Sequence, residues 1–262
     1  MQIRRFAITF AAAALTFAGV LPALAEGPTR LDDILAKGVL KVGSTGDYKP
    51  FTFLDKTKGT FEGFDIDMAN ELGKALGVKV EFVQTSWPTL MKDYEAGQFD
   101  IAMGGISITL ERAKKASFSS AYMREGKTPI ARCADKDKFQ TIADIDKPGV
   151  RVITNPGGTN EKFDRANLKA AEIKVFPDNT MIFDEVIKGN ADLMITDSSE
   201  TRFQQKAHPE LCAIHPDKPF DFAEKAYLLP RDPALKSFVD AWMHIMVETG
   251  SYGRLHAGYF GK

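Results

Sequence analysis

The sequence predicts an α/β protein with two lobes and mainly parallel sheets. Short apolar strands alternate with amphipathic helices along the chain after residue 25. A faint repeat points to two lobes built alike, because the turn, acid and apolar strand of residues 97–103 recur at residues 189–195. Chance is the competing explanation, since such helix-turn-strand junctions recur in α/β folds. The fold class therefore rests on the alternation, and the division into lobes on the repeat.

The first 25 residues have the order of a secretory signal peptide. Arg4 and Arg5 precede an apolar run at residues 6–21, and Ala23-Leu24-Ala25 supplies a small-residue cleavage site. No cysteine follows that site to carry a lipid, and no later apolar run reaches the ~20 residues of a membrane span. A retained membrane anchor is the alternative. We expect cleavage behind Ala25 and a soluble protein exported to the periplasm.

Composition argues against several partners and favours a disulfide. Removal of the leader takes away two arginines and no acid, so the formal net charge of −1 becomes −3. Nothing in that balance suggests nucleic acid or an anionic membrane as a partner. Cys133 and Cys212 are an even pair in an exported chain, which favours one disulfide. Neither has a nearby Cys or a His at ligand spacing, so we expect no metal site.

The individual elements follow from hydrophobic spacing and turn residues. Residues 39–43 are typical of a strand. Asp65 is placed to cap a helix, Gly77 to end it, and residues 78–83 to form the next strand. These segments make one strand-helix-strand unit. Residues 233–248 are predicted to form the last helix, which returns the chain to the first lobe.

The predicted lobes are discontinuous in sequence. We expect the first lobe to contain residues 26–132 and 225–262, and the second lobe to contain residues 133–224. Residues 128–132 and 226–230 would then be the paired strands that cross between the lobes.

Polar segments that follow two of the predicted strands should face one cleft. Residues 104–107 follow a strand in the first half, and residues 196–200 follow one in the second. Ligands of open α/β sheets bind beyond the carboxyl ends of the strands. Arg112 offers a planar fork for a carboxylate, although taken alone it is more often a surface ion-pair residue. Lys127 alone would be an ordinary solvated cation.

A paired-glycine turn and several aromatic rings complete the candidate cleft. The turn at residues 155–161 precedes a helix, where exposed backbone N–H groups suit an anion. It matches neither the P-loop nor the dinucleotide motif, and a plain turn and helix cap is the alternative. Trp87 and Phe51 lie at strand-to-helix junctions. They could enclose a six-membered ring or simply pack the lobe.

These segments resemble known families. The chain is similar to type II periplasmic amino-acid-binding proteins in four motifs, at residues 46–51, 63–68, 106–112 and 118–119. Five further motifs resemble the cyclohexadienyl dehydratases, exported enzymes on the same scaffold, at residues 85–88, 126–130, 155–163, 208–212 and 220–230. The resemblance implies the two-lobed periplasmic binding protein type II fold, with a ligand cleft between the lobes and two crossing hinge strands.

The resemblance also implies an activity and a set of site residues. The dehydratases convert prephenate to phenylpyruvate and arogenate to phenylalanine, with loss of water and carbon dioxide and no cofactor. By position in the motifs, Glu200 corresponds to the general acid, and Asp197 to the acid that amino-acid-binding relatives use for the ligand ammonium. The predicted substrate-binding residues are Asp47, Tyr48, Trp87, Ser107, Arg112, Lys127, Asn155, Thr159 and Asp197.

Glu200 distinguishes the enzyme from its main alternative. A glutamate with the ordinary pKa of about 4.3 is ionised near neutrality, so a general acid at pH 7 needs a pKa raised by about 2.7. Burial and Asp197 would raise it, and Lys127 would oppose them. For an arbitrary glutamate, a solvated helix position is the usual role. The alternative function is a non-catalytic amino-acid-binding protein of an ABC importer, with membrane subunits as partners. That function needs neither Glu200 nor Lys127.

Overall fold

The computed structural model describes residues 27–261, so the predicted signal peptide lies outside the described residues. The strands are β1 (Val39–Ser44), β2 (Asp47–Tyr48), β3 (Thr52–Asp55), β4 (Thr60–Glu62), β5 (Lys79–Gln84), β6 (Ile101–Ala102), β7 (Ser117–Phe118), β8 (Met123–Glu125), β9 (Lys127–Arg132), β10 (Arg151–Thr154), β11 (Glu172–Val175), β12 (Leu193–Asp197), β13 (Leu211–Ala213), β14 (Ala223–Lys225) and β15 (Leu228–Leu229). The helices are α1 (Arg30–Lys37), α2 (Phe64–Leu76), α3 (Leu90–Glu95), α4 (Leu110–Ala113), α5 (Ile142–Ile145), α6 (Thr159–Asn167), α7 (Ile182–Ile187), α8 (Ser198–Ala207), α9 (Pro233–Glu248) and α10 (Ser251–Phe260). None of these helices is long and apolar enough to cross a membrane.

Each lobe is built on a sheet that is half parallel and half antiparallel. In the part of the chain that the structure describes, the first sheet has the order β5-β1-β6-β15-β7 and the second has the order β11-β10-β12-β9-β13. The predicted parallel pairing holds for β1 with β5 and β6, and for β10 with β11 and β12. By contrast, β15 and β9 pair antiparallel with their neighbours, because each continues directly from a strand that has just crossed between lobes.

The sequence repeat corresponds to equivalent places in the two sheets. β6 and β12 are the middle strands of their sheets. Gly97 and Gly189, which open the two repeats, have φ angles of 67° and 78°. Only glycine adopts this left-handed conformation without strain, so each can end the preceding helix and start the turn into the middle strand.

The crossing strands lie a few residues earlier than the sequence suggests. β8 and β14 pair antiparallel as the crossing strands, whereas the prediction placed them at residues 128–132 and 226–230. Residues 127–132 instead form β9 in the second sheet, and their apolar character reflects burial in that sheet. Residues 127–132 therefore lie in the second sheet, whereas the predicted boundary at residue 132 counts them with the first lobe.

Asp65 has a different role from the predicted helix cap. Because α2 begins one residue before it, Asp65 lies inside the helix with its side chain buried. Its carboxylate accepts hydrogen bonds from the Gly105 backbone N–H at 2.6 Å, the Tyr122 hydroxyl at 2.8 Å and the Tyr227 hydroxyl at 3.2 Å. Asp65 thereby fixes the loop after β6, which faces the other lobe. The end of α2 at Gly77 is as predicted, with a left-handed φ of 69°.

The two cysteines are bonded to each other, which confirms the predicted disulfide. Cys133 follows β9 and Cys212 lies in β13, so the disulfide links the end of β9 to the edge strand of the second sheet. At the other end of the molecule, α9 spans the predicted residues 233–248. The sequence analysis did not foresee α10, which packs on α2 through a 2.7 Å hydrogen bond from the Tyr259 hydroxyl to Asp67.

Candidate active site

A narrow cavity of about 10 Å³ lies between the two sheets. Both lobes contribute, because the loops that follow the middle strands of the two sheets face each other there. One crossing strand adds a lysine. The lining residues are Tyr48, Trp87, Gly105, Ser107, Arg112, Asn155, Gly158, Thr159, Asn160, Asn179, Asp197 and Lys225.

The carboxylate of Asp197 is the centre of a buried ionic cluster. β12 ends at Asp197, which places this residue at the cavity. Its Oδ1 accepts from Lys127 Nζ at 2.7 Å, and its Oδ2 accepts from Lys225 Nζ at 2.6 Å and from the Tyr48 hydroxyl at 2.5 Å. Burial acts to raise the pKa of Asp197, but the two ammonium groups hold that pKa well below its usual value. Asp197 is therefore ionised and already paired.

Lys225 is a site residue that the sequence analysis missed. Its side chain is 1 % exposed, and its Nζ lies 3.3 Å from Glu125 Oε1 and 3.0 Å from Ser107 Oγ. Burial acts to lower the pKa of Lys225, but Asp197 and Glu125 raise it above its usual value. The sequence offered one signal for this role, because Lys225 directly precedes an apolar run that begins at Ala226. A lysine beside such a run can be buried, and a buried charge needs a partner of opposite charge.

Hydrogen bonds connect this cluster to Glu200. Lys127 Nζ donates to Thr159 Oγ1 at 3.0 Å and to Asn160 Oδ1. The Asn160 amide donates to Thr196 Oγ1 at 3.0 Å, and the Thr196 hydroxyl donates to Glu200 Oε2 at 2.6 Å. Glu200 therefore lies behind the cavity wall, because the Thr196 hydroxyl stands between Glu200 and Asn160, which lines the cavity.

Glu200 is a buried carboxyl that holds its proton at neutral pH. Glu200 is only 1 % exposed. Burial raises the pKa of Glu200 to about 8; the charge of Asp197 adds to that rise, while the Thr196 hydrogen bond and the two lysines oppose it. The burial arises because α8 packs on β9, β12 and β13 of the second sheet, which buries its first turn. Glu200 also borders a second cavity of about 130 Å³.

Cationic and backbone donors converge on the cavity from opposite lobes. Arg112 is buried, and its guanidinium donates to the Ser107 carbonyl at 2.8 Å. Burial lowers the pKa of Arg112 to about 10, so it stays charged at neutral pH. From the other lobe, Gly158 caps α6 without a side-chain hydrogen bond and lines the cavity beside Thr159. The positive end of the α6 dipole therefore faces the cavity, as the turn motif predicts.

The comparisons with known proteins agree with this fold. A profile of bacterial extracellular solute-binding proteins, family 3, matches residues 40–262. The chain belongs to this family. This solute-binding protein is 58 % identical to a cyclohexadienyl dehydratase of Pseudomonas aeruginosa over 222 residues, which cover 85 % of this chain and 82 % of the relative.

Two solved structures extend the comparison. One is an ancestral amino-acid-binding protein described as a precursor of cyclohexadienyl dehydratase, with a TM-score of 0.81, 38 % identity and coverage of 88 % of this chain and 99 % of that one. The other is an ancestral cyclohexadienyl dehydratase, with a TM-score of 0.58, 51 % identity and coverage of 90 % of this chain and 98 % of that one. The solute-binding scaffold here is thus similar both to a binding protein and to an enzyme.

Most of the predicted site residues of this solute-binding protein meet at the cavity. Lys127 and Glu200 stand directly behind its wall. Asp47 does not line it; its carboxylate accepts from Trp87 Nε1 at 3.0 Å and its carbonyl from the Asn179 amide at 2.9 Å. The lining residues among those predicted are Tyr48, Trp87, Ser107, Arg112, Asn155, Thr159 and Asp197.

The structure adds residues whose roles no local motif indicates. Phe51 is fully buried and stacks on Tyr48, which makes it a packing residue. Asn160 lies inside the glycine-turn motif, where the sequence analysis expected backbone donors, and its side chain connects Lys127 to Thr196. The cleft segments named from the sequence contain Gly105, Gly158, Asn160 and Thr196, but they do not contain Glu125, Asn179 and Lys225.

Proposed function

We propose that this solute-binding protein is a cyclohexadienyl dehydratase, which converts prephenate to phenylpyruvate and arogenate to phenylalanine. The observation that carries the proposal is Glu200, a fully buried carboxyl with a pKa of about 8 beside a cation-lined cavity. An acid with a pKa near the working pH is suited to proton donation, whereas a carrier has no need of one. The 58 % identity to the Pseudomonas aeruginosa enzyme supports the same function.

The reaction requires one proton and no external electrons. The C–C bond to the ring carboxylate breaks, its electron pair enters the ring, and carbon dioxide leaves. The C–O bond to the ring hydroxyl breaks as well, and the oxygen takes a proton from Glu200 and leaves as water. The ring is then aromatic. Glu200 recovers a proton from solvent, for which the second cavity offers a route. A positioned acid contributes about 10²–10⁴ in rate.

The remaining residues would hold the substrate and exclude water. Prephenate carries two carboxylates, and we assign their binding to Arg112 and to the turn at Asn155–Thr159, where the Thr159 hydroxyl accepts from Lys127 Nζ at 3.0 Å behind the cavity wall. Contacts between lobes keep the cavity closed, including the 2.5 Å hydrogen bond from the Tyr48 hydroxyl to Asp197. A water-poor site strengthens each of these charge interactions.

The proposal includes export to the periplasm. Residues 1–25 have the order of a cleaved signal peptide, and an extracellular family and a disulfide both fit an oxidising compartment. The mature enzyme would then contain residues 26–262.

Turnover by the mature protein tests the proposal. Phenylpyruvate formation from prephenate, and phenylalanine formation from arogenate, should be followed for the unmodified protein, Glu200→Gln and Glu81→Gln. Glu81 is an exposed glutamate on β5, so its variant controls for the loss of one carboxylate. We expect Glu200→Gln to lose at least about 10² in kcat and Glu81→Gln to keep full activity. No turnover of either substrate by the unmodified protein would overturn the assignment.

A non-catalytic carrier of amino acids is the second candidate. The structural similarity to the ancestral amino-acid-binding protein favours it. A carrier should show a clear thermal shift with an ordinary amino acid, whereas the dehydratase should respond weakly. A strong amino-acid response without turnover would place the protein in the carrier class.

A further inference from the structure

The cluster around Asp197 bears on substrate choice. Prephenate and arogenate differ in one group, which is a keto oxygen in prephenate and an ammonium in arogenate. Among the described residues, three side chains donate to the Asp197 carboxylate, and both of its oxygens are used. An amino-acid carrier would need this carboxylate free for the ligand ammonium. Here it is not free.

We propose that Lys225, by pairing with Asp197 beside Lys127, selects the keto substrate prephenate over the amino substrate arogenate. This inference rests on the proposed dehydratase function and names the preferred substrate of the same site. Lys225 acts through Asp197 and is therefore a positioning residue for specificity.

The charges around Asp197 favour a neutral keto oxygen of the ligand over an ammonium. An ammonium placed against Asp197 would also approach two Nζ atoms that lie 2.7 Å and 2.6 Å from the same carboxylate. Like charges that share one buried carboxylate repel each other. A keto oxygen brings no charge, so it meets no such repulsion.

The protein holds Lys225 in place from several sides. β14 carries it and pairs with β8, whose last residue is Glu125. Glu125 lies 3.3 Å from Lys225 Nζ through Oε1, and its Oε2 accepts from the Ser199 backbone N–H at 3.0 Å. Ser107 Oγ, on the first lobe, lies 3.0 Å from the same Nζ. Because Lys225 is fully buried, it cannot turn to solvent and release Asp197 when a substrate arrives.

Binding of two products tests the inference without turnover. Phenylpyruvate and L-phenylalanine differ by the same keto-for-ammonium replacement, and their Kd values can be measured by calorimetry. For the unmodified protein we expect phenylpyruvate to bind at least about tenfold more tightly, which corresponds to about 1.4 kcal/mol. In Lys225→Met we expect L-phenylalanine to bind about tenfold more tightly than it does to the unmodified protein. The gain should vanish in Lys225→Met with Asp197→Asn.

Simple charge attraction predicts the opposite result. If Lys225 only attracted anions, Lys225→Met would leave L-phenylalanine binding unchanged or weaken it, and that outcome in a folded variant overturns the inference. Lys225→Arg, which retains the charge, should keep the keto preference. If Lys225→Met does not fold, Lys225→Gln carries the same test. Equal or tighter binding of L-phenylalanine by the unmodified protein also overturns the inference.

Kinetics separate this inference from the proposed function. The ratio of kcat/KM for prephenate to that for arogenate should exceed about ten in the unmodified protein and fall at least about tenfold in Lys225→Met. No turnover of either substrate would overturn the proposed function, while the product-binding ratio would still decide the role of Lys225. Turnover with arogenate preferred would overturn this inference alone.

Discussion

Replacing Glu200 with glutamine should stabilise the folded protein by an amount that grows with pH. Burial raises the pKa of Glu200 from 4.5 to about 8 in the folded state. Below 4.5 both states carry the proton, and the side chain behaves like the neutral amide of glutamine. Above 4.5 the unfolded chain ionises while the folded protein keeps its proton, so stability is lost until the pH passes about 8.

The magnitude follows from the difference between the two pKa values. Each pH unit between them corresponds to about 1.36 kcal/mol, so the full range from 4.5 to about 8 gives roughly 5 kcal/mol. At about pH 7 the expected gain of Glu200→Gln is roughly 3 kcal/mol. The glutamine carbonyl can still accept from the Thr196 hydroxyl, which donates to Glu200 at 2.6 Å.

Urea unfolding of the mature protein measures this effect. The free energy of unfolding should be compared between the unmodified protein and Glu200→Gln at several values from about pH 4.5 to about pH 9. Glu81→Gln controls for the removal of an exposed carboxylate. A stability difference that stays constant between about pH 5 and about pH 8 would refute the reasoning, because it would mean that Glu200 ionises like an exposed glutamate.

Further predictions concern activity, binding and the disulfide. The kcat for prephenate should fall as the pH rises through about 8, since Glu200 then loses the proton it donates; a flat alkaline profile would argue against that role. Arg112→Ala should raise the KM for prephenate at least about tenfold, because it removes a buried cation from the cavity wall. An unchanged KM would remove Arg112 from the substrate-binding set. Serine at both Cys133 and Cys212 should lower the free energy of unfolding by about 4 kcal/mol, given their separation of 79 residues. A loss below about 1 kcal/mol in urea unfolding would contradict the loop-closure argument.

Local patterns in the sequence were reliable where a residue acts through its neighbours along the chain. Gly77 ends α2, as its position in the pattern predicts, because glycine adopts the left-handed conformation easily. The pair of cysteines indicated the disulfide, and Asp197 and Glu200 lie close together because only Ser198 and Ser199 separate them at the start of one helix.

Contacts between distant segments were not predictable in the same way. Asp65 was read as a helix cap, yet its hydrogen-bond partners are 40, 57 and 162 residues away. The crossing strands were predicted a few residues too far along the chain. The apolar residues of β9 suggested a crossing strand, but they are apolar because β9 is buried in the second sheet. The alternation of residues along a strand is the same whichever strand it pairs with, so it does not reveal the partner.

The sequence alone determined the alternation of strands and helices, which depends on spacing within a short stretch of chain, and the disulfide, because only two cysteines occur. The resemblance to the dehydratases identified the acid at position 200. The tertiary structure alone decided that Lys225 pairs with Asp197, from which it is 28 residues distant, and with Ser107, from which it is 118 residues distant. It also decided the burial that keeps Glu200 protonated. The physical reason is that charge pairing and desolvation depend on which segments meet in space, and a linear pattern does not specify those meetings.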